Sequence, residues 1–147
     1  MSIRQIASVA AVLVLTLSLA GCKHAAAEEE AGGSDLATVE PVEGTDVSQV
    51  TLTEEAAERI DIQTSPVVHG TGGADVSIPY AAVLYDPAGD TWTYTSPEHL
   101  VFVRAPITVM RIDGDRVLLS KGPDVGTEVV TVGAAELLGT EYEVGEE

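Results

Sequence analysis

Basic residues are scarce in this chain of 147 residues: 7 Lys and Arg stand against 24 Asp and Glu, and the formal net charge is −17 at pH 7. Nucleic-acid binding depends on Lys and Arg side chains that neutralise phosphates. Attraction to anionic lipid headgroups also depends on basic residues. The composition therefore argues against a nucleic-acid partner and against an electrostatic contact with a membrane surface. The excess of acid indicates solubility, or else attraction to a cation or a basic partner.

Cysteine occurs once, at Cys22, so an internal disulfide is excluded and a free thiol in an exported protein would be a liability. Arg4 is the only charged residue before Lys23, and residues 6–19 are almost wholly apolar. A positive start, an apolar run of this length and a small-residue exit are typical of a secretory signal peptide, which we assign to residues 1–21. The run is shorter than the roughly 20 apolar residues of a transmembrane helix.

The end of this segment, Leu19-Ala20-Gly21-Cys22, resembles the lipobox of bacterial lipoproteins. The resemblance implies that a peptidase cuts before Cys22 and that Cys22 carries a lipid, which makes the membrane a partner of the chain. We therefore expect an exported protein that is lipid-anchored to the cell envelope. The anchor would lie at the outer face of the cell membrane or, in a two-membrane bacterium, in the periplasm or at the outer membrane. The alternative is an ordinary signal peptide with a chance cysteine.

Residues 22–48 contain no aromatic residue and no apolar period, and they are rich in Ala, Gly and acidic residues. Such a segment buries too little surface to offset the entropy lost on ordering. We therefore predict that the lipidated Cys22 is followed by a disordered acidic tether over this range. Residues 49–147 remain, which is enough chain for one core and too little for two domains.

The pattern of residues 49–147 predicts a mainly β domain, a small β-roll or barrel of about 7–8 short strands with one short helix. The helix is expected to begin after Thr53, because a threonine side chain suits the N-cap position. Short strands such as Glu128–Val132 follow, with turn sequences between them. Ala134–Leu138 is expected to form one helical turn that ends before Gly139.

Alternation of apolar and polar residues predicts which strand faces are buried. Ile78 alternates with Ser77, and Trp92 and Tyr94 alternate with Thr93. We expect Ile78 in the core, and Ser77 and Thr93 on faces that tolerate a charge. The two aromatic side chains are interpreted as core residues, with a shelf for sugar stacking as the alternative.

Candidate catalytic groups are few. The histidines are His24, His69 and His99, and no pair has a metal-ligand spacing such as His-x-x-x-His. We interpret them as surface residues. Since the resemblance assigns Cys22 to the anchor, no cysteine nucleophile remains. We therefore expect no enzymatic activity, no metal and no cofactor.

Two pairs of aspartates, Asp86 with Asp90 and Asp113 with Asp115, offer oxygen ligands of the kind that bind calcium weakly. Both pairs lie in sequences that favour turns, because Asp hydrogen-bonds its own backbone and Gly adopts positive φ. The turn interpretation is therefore preferred over a calcium site.

Three stretches of the sequence resemble the periplasmic adaptor subunits, or membrane fusion proteins, of bacterial efflux pumps. Residues 52–67 read LTEEAAERIDIQTSPV and resemble the opening of these adaptors. Residues 78–95, IPYAAVLYDPAGDTWTYT, and residues 102–142, which begin FVRAPITVMRIDGDRV, resemble their end. In the family these two parts are far apart in sequence and come together as the membrane-proximal domain, a β-roll. Here only about ten residues, Val67–Val76, join them, so the chain looks like that one domain standing alone.

The resemblance implies a non-enzymatic, lipid-anchored accessory protein that acts by contact with a membrane transporter, an efflux permease of RND or ABC type. It assigns no contact residues and no oligomeric state. Two alternatives stay open: an extracytoplasmic lipoprotein that binds a cation or small solute, and a degenerate adaptor remnant without a partner.

Overall fold

The computed structural model describes residues 36–144, so Cys22, the predicted signal peptide and the first part of the predicted tether lie outside the described residues. Within the described range the chain forms eleven strands, two α-helices and one 3-10 helix. In chain order these are β1 (Ala37–Pro41), β2 (Ser48–Leu52), α1 (Glu54–Arg59), β3 (Gln63–Pro66), β4 (Val68–His69), β5 (Val76–Pro79), the 3-10 helix (Tyr80–Ala82), β6 (Leu84–Tyr85), β7 (Thr91–Glu98), β8 (Val101–Pro106), β9 (Thr108–Asp113), β10 (Arg116–Lys121), β11 (Glu128–Val132) and α2 (Ala134–Val144).

The strands form two antiparallel sheets. The large sheet has the order β1-β2-β8-β7-β11-β3, with β6 paired to β7, and the small sheet has the order β4-β5-β10-β9. The predicted mainly β fold is confirmed. Over residues 36–144 both sheets are open, with β1 and β3 at the ends of the large sheet's path and β4 and β9 at the edges of the small one.

Two clusters of buried side chains lie on opposite faces of the large sheet. Strand β11 shows the division, because Val129 belongs to the second cluster and its neighbour Val130 to the first. Successive side chains of a strand point to opposite faces. The first cluster joins the large sheet to both helices and contains Val50, Leu52, Ala56, Tyr94, Phe102, Val130, Ala134 and Leu137. The second joins it to the small sheet and contains Val67, Val76, Ile78, Ala82, Ile107, Val117, Leu119 and Val129.

Because both faces of the large sheet are covered, part of the alternation prediction is wrong. Thr93, expected on a face that tolerates a charge, is fully buried. Ser77 is also buried, because the guanidinium of Arg116 lies against it and donates from Nε to Ser77 Oγ at 2.9 Å. Ile78 and Tyr94 are buried as predicted.

Helix α1 confirms the predicted N-cap. The Thr53 side chain accepts a hydrogen bond from the Ala56 N–H at 3.2 Å, which satisfies one of the free amides at the helix start. Ala56 is the buried residue of this short helix and packs with Leu52 in the first cluster. This packing, more than helix propensity, holds so short a helix in place.

The tether prediction fails over its last part. Ala37–Pro41 forms β1, which pairs with β2 from Ala37 opposite Leu52 to Pro41 opposite Ser48. The side chains of Leu36, Ala37 and Val39 pack against the first cluster. The segment is ordered because β2 supplies hydrogen-bonding partners and apolar surface, neither of which the composition of the segment reveals.

Helix α2 is longer than predicted. The expected single turn at residues 134–138 is the start of an 11-residue helix that passes through Gly139. Glycine in a helix interior costs about 1 kcal/mol relative to alanine. Packing of Leu137 into the first cluster and a buried contact of Glu141 outweigh that cost. No helix within residues 36–144 is long and apolar enough to span a membrane.

Candidate functional site

A surface groove of about 460 Å³ lies between α1 and the β7–β8 hairpin, and we call it the α1 groove. Its apolar lining consists of Ala57, Ile62, Leu100 and Phe102. Phe102 is part of the first cluster, and Ala57 and Ile62 pack against that cluster. The apolar side of the groove is therefore a margin of the core and has a fixed shape.

The rim of the α1 groove is acidic. Glu54, Glu58 and Asp61 line it and are exposed. His99 lies opposite, with its Nε2 3.8 Å from Glu54 Oε1. The nearby basic residue Arg59 is not among the lining residues; its guanidinium is paired at 3.0 Å with Glu55. Among residues 36–144, the lining of the groove thus carries three carboxylates and neither Lys nor Arg.

Two backbone conformations at the groove are unusual. Within residues 36–144 the non-glycine residues with positive φ are Asp61, at 51°, and Leu100, at 62°, and both line the groove. Aspartate tolerates this region, whereas for leucine it costs roughly 1–2 kcal/mol. The Leu100 carbonyl accepts a hydrogen bond from the Leu52 N–H at 3.0 Å, which holds the hairpin turn against the end of β2, two residues before α1 begins. The Leu100 side chain is held at the groove by this strained turn.

A second feature is a buried ion pair beside the first cluster. Arg104 donates from Nε to Glu141 Oε2 at 2.8 Å and from an Nη to Glu141 Oε1 at 3.0 Å, and both side chains are about 95 % buried. Glu141 also accepts from the Tyr94 hydroxyl at 2.5 Å and from the Ser48 N–H at 2.9 Å. We call these four residues the Glu141 network. It connects α2 to β2, β7 and β8.

The Glu141 network changes the titration of its members. Burial raises the pKa of Tyr94 well above its usual value, and its hydrogen bond to Glu141 and the charge of Glu141 act in the same direction. For Arg104 burial acts to lower the pKa, but the hydrogen bond and charge of Glu141 outweigh it and raise the pKa. The phenol therefore stays neutral and the guanidinium stays charged. Trp92 stacks on Arg104, with the guanidinium carbon 4.7 Å from the ring centre.

A third feature is the outer edge of β9. This strand is an edge of the small sheet, with β10 on one side and no strand of residues 36–144 on the other. Its side chains Met110 and Ile112 are 50 % and 54 % exposed. Ile112 lies opposite Val117, a member of the second cluster. Directly opposed residues share a sheet face, so the apolar face of the small sheet continues to the surface at this edge.

The aspartate pairs behave as turn residues. Asp90 donates its N–H to Asp86 Oδ1 at 2.9 Å, and Trp92 donates its indole N–H to Asp86 Oδ2 at 3.0 Å. Burial acts to raise the pKa of Asp86, but these hydrogen bonds outweigh it and lower the pKa. Asp113 and Asp115 flank the β9–β10 turn at Gly114, where φ is 62°.

The predicted histidine positions are not brought together. His99 lines the α1 groove, and His69 lines a depression on the small sheet beside Arg116. His24 lies outside the described residues. In the part of the chain that the structure describes, no three His, Cys, Asp or Glu residues are grouped so that they could hold a metal ion.

Comparison of the chain with protein-family models, with curated proteins and with solved structures finds no match. The resemblance of its phrases to efflux adaptors stays a prediction.

Sequence reasoning missed both the α1 groove and the Glu141 network. The groove depends on the β7–β8 hairpin meeting α1, two segments about 40 residues apart. The network joins Arg104 to a residue 37 positions later. One signal was available in the sequence. Leu137 and Leu138 are followed four residues later by Glu141 and Tyr142, which lie on the same helix faces if Gly139 is helical.

Proposed function

We propose that this chain is a non-enzymatic, lipid-anchored accessory protein that acts outside the cytoplasm by contact with a membrane transporter, an efflux permease of RND or ABC type. Two sequence features support the proposal: the lipobox-like segment that ends at Cys22, and the adaptor-like phrases of residues 52–67 and 78–142. The lipid on Cys22 holds the domain at the membrane and raises its local concentration near a transporter.

The exposed edge of β9 is the observation that supports a docking surface on this domain. The edge presents backbone N–H and C=O groups together with the apolar side chains of Met110 and Ile112. A partner strand or loop that pairs with such an edge gains main-chain hydrogen bonds, and the apolar side chains add burial and specificity. Arg111 and Asp113, whose charges lie 3.9 Å apart on this strand, disfavour pairing with unrelated edges.

Site-specific cross-linking in the native host tests the contact. A photo-reactive amino acid is placed at Ile112 in the full chain, and the matched control carries it at Thr38, an exposed residue of β1 at the edge of the large sheet. We expect the Ile112 form, and not the Thr38 form, to cross-link to a multi-span permease identified by mass spectrometry. Equal cross-linking from both positions, or none from Ile112, would contradict docking through β9.

A lipid-free form tests the anchor. Deletion of the gene should change susceptibility to exported compounds, and the wild-type chain should restore it. The Cys22→Ser chain should remain unprocessed, incorporate no labelled palmitate and fail to restore susceptibility. Full restoration by Cys22→Ser would show that the lipid has no part in the function.

A further inference from the structure

We propose that the α1 groove binds a small organic cation that carries an apolar body, such as a substituted ammonium ion with an aromatic or branched group. The proposal assigns a ligand-binding site to a surface that the transporter contact does not use. None of the groove residues lies on β9.

The volume and floor of the groove suit a small molecule. Ligand sites in proteins are clefts of roughly 300–1,000 Å³ with mostly apolar walls and a few polar groups that fix orientation. The α1 groove has a volume of about 460 Å³, an apolar side and the hydroxyls of Thr64 and Ser96. Because the apolar side is continuous with the first cluster through Phe102, it is formed before any ligand arrives.

The negative charge of the rim favours a positively charged ligand. Glu54, Glu58 and Asp61 line the groove, and in the described part of the chain its lining holds neither Lys nor Arg. The nearest basic side chain on α1, Arg59, is held by Glu55. Like charges repel an anionic ligand, whereas a cation is attracted most where an apolar wall excludes water and lowers the local dielectric constant.

The apolar side of the groove selects an organic cation over a bare metal ion. A metal ion needs several oxygen or nitrogen ligands that converge on one point. No three His, Asp or Glu residues of the described chain are grouped in that way. Ala57, Ile62 and Leu100 offer contact surface but no ligand atoms. A cation that brings its own apolar surface uses both halves of the groove.

The probe for this site is benzyltriethylammonium, and the control probe is benzenesulfonate, which has an aromatic ring and the opposite charge. Binding is measured by isothermal titration with the full chain in nanodiscs of zwitterionic lipid, and empty nanodiscs supply the blank. We expect saturable, salt-sensitive binding of the cation and none of the anion. Equal binding of both probes, or no saturable binding of the cation, overturns the proposal.

Matched variants locate the binding site. Glu58→Gln with Asp61→Asn removes two charges from the rim, and Asp113→Asn with Asp115→Asn removes two charges from the β9–β10 turn. Asparagine tolerates the positive φ of position 61. We expect the groove variant to bind the cation about tenfold more weakly and the turn variant to bind it as the wild type does. An equal loss in both variants, with unchanged circular dichroism, would mean that net charge alone attracts the probe and would overturn the proposal.

This outcome is separable from that of the docking proposal. The groove variant keeps the β9 edge unaltered, so its cross-linking from Ile112 should equal that of the wild type. Loss of cross-linking in the groove variant would show that the groove is part of the transporter contact and would overturn its assignment as a separate ligand site.

Discussion

The two faces of the large sheet are covered by chemically different cores. The second cluster, between the sheets, consists of aliphatic side chains alone, such as Ile78, Leu119 and Val129. The first cluster, beneath the helices, includes Tyr94 and Phe102 and is bordered by the ion pair of Arg104 and Glu141. Hydrophobic burial is non-directional, so the second cluster restricts the relative position of the two sheets only loosely. The Glu141 network has fixed hydrogen-bond geometry, so it restricts the position of the elements that it joins much more tightly.

The contrast between the two clusters explains how α2 is positioned. Few apolar side chains of α2 are fully buried, and Leu137 is the largest of them. A carboxylate that accepts from Arg104, Tyr94 and the Ser48 amide can be satisfied in only one place. Replacing a buried ion pair with apolar residues is often neutral or stabilising, so the net stability it provides is small. We infer that the network sets the placement of α2, while apolar burial supplies its stability.

Breaking one partner of the pair should have the largest effect. Glu141→Ala leaves the Arg104 guanidinium buried and uncompensated, and we expect the free energy of unfolding to fall by about 3–5 kcal/mol. That is a large part of the total for a domain of this size. Urea unfolding followed by circular dichroism measures the change. The matched control is Glu136→Ala, an exposed acid on the same helix, which should change stability by less than about 0.5 kcal/mol.

Removing both partners of the ion pair tests whether the pair sets the placement of α2 or stabilises the fold. The double variant Arg104→Leu with Glu141→Leu should recover part of the stability lost in Glu141→Ala, because no buried charge is left without a partner, although the Tyr94 hydroxyl and the Ser48 amide still lack their acceptor. It should also loosen α2, which faster hydrogen exchange of the α2 amides would report. If the double variant is as unstable as Glu141→Ala, the pair itself stabilises the fold and the division of roles between the clusters is wrong.

Alkaline pH should weaken the first cluster through Tyr94. The pKa of Tyr94 is raised in the folded state, so its contribution to stability is full below the unfolded pKa near 10 and is lost as pH rises further. Tyr94→Phe removes the hydrogen bond to Glu141 and should cost about 1.5–3 kcal/mol at neutral pH. The stability difference between wild type and Tyr94→Phe should then narrow as pH rises above about 10.

Both proteins carry the other three tyrosines, so the comparison isolates the substitution at Tyr94. The measurement is urea unfolding at a series of alkaline pH values. A stability difference between wild type and Tyr94→Phe that stays constant, or widens, across this range would show that the buried hydroxyl of Tyr94 does not cause the pH dependence.

Local patterns predicted the elements that depend on local contacts. The N-cap Thr53 and the strand Glu128–Val132 were both predicted from neighbouring residues. Strand β1 and the full length of α2 were not. Strand β1 pairs with its neighbour β2 across a short loop, but its acidic composition does not mark it as a strand. Helix α2 extends to Glu141, whose hydrogen-bond partners are distant in sequence. Among the 4 residues of the Glu141 network, Ser48 and Glu141 are 93 positions apart, and no local pattern of charge connects them.

Thr93 shows most directly where local reasoning ends. The alternation of side chains along β7 correctly predicted that Thr93 lies on the face opposite Tyr94. The sequence of β7 does not show that a second sheet covers that face. Thr95, two residues on, lies opposite Val129 of the second cluster, so Thr93 and Thr95 share the second-cluster face. The alternation was right and the inference of exposure was wrong.

The smallest expected effect comes from Thr93→Val. Thr93 is fully buried, and its Oγ1 has no hydrogen-bond partner among residues 36–144, so it is a polar atom packed against the aliphatic second cluster. Valine has nearly the same shape and lacks the unsatisfied hydroxyl, so we expect the free energy of unfolding to rise by about 1 kcal/mol. Thr91→Val is the matched control on the same strand, because Thr91 Oγ1 donates to the Ile107 carbonyl at 2.8 Å and that bond would be lost. Urea unfolding should show opposite signs for the two substitutions. If both destabilise the fold, Thr93 Oγ1 has a partner in solution, and the second-cluster face is less purely apolar than the comparison of the two cores requires.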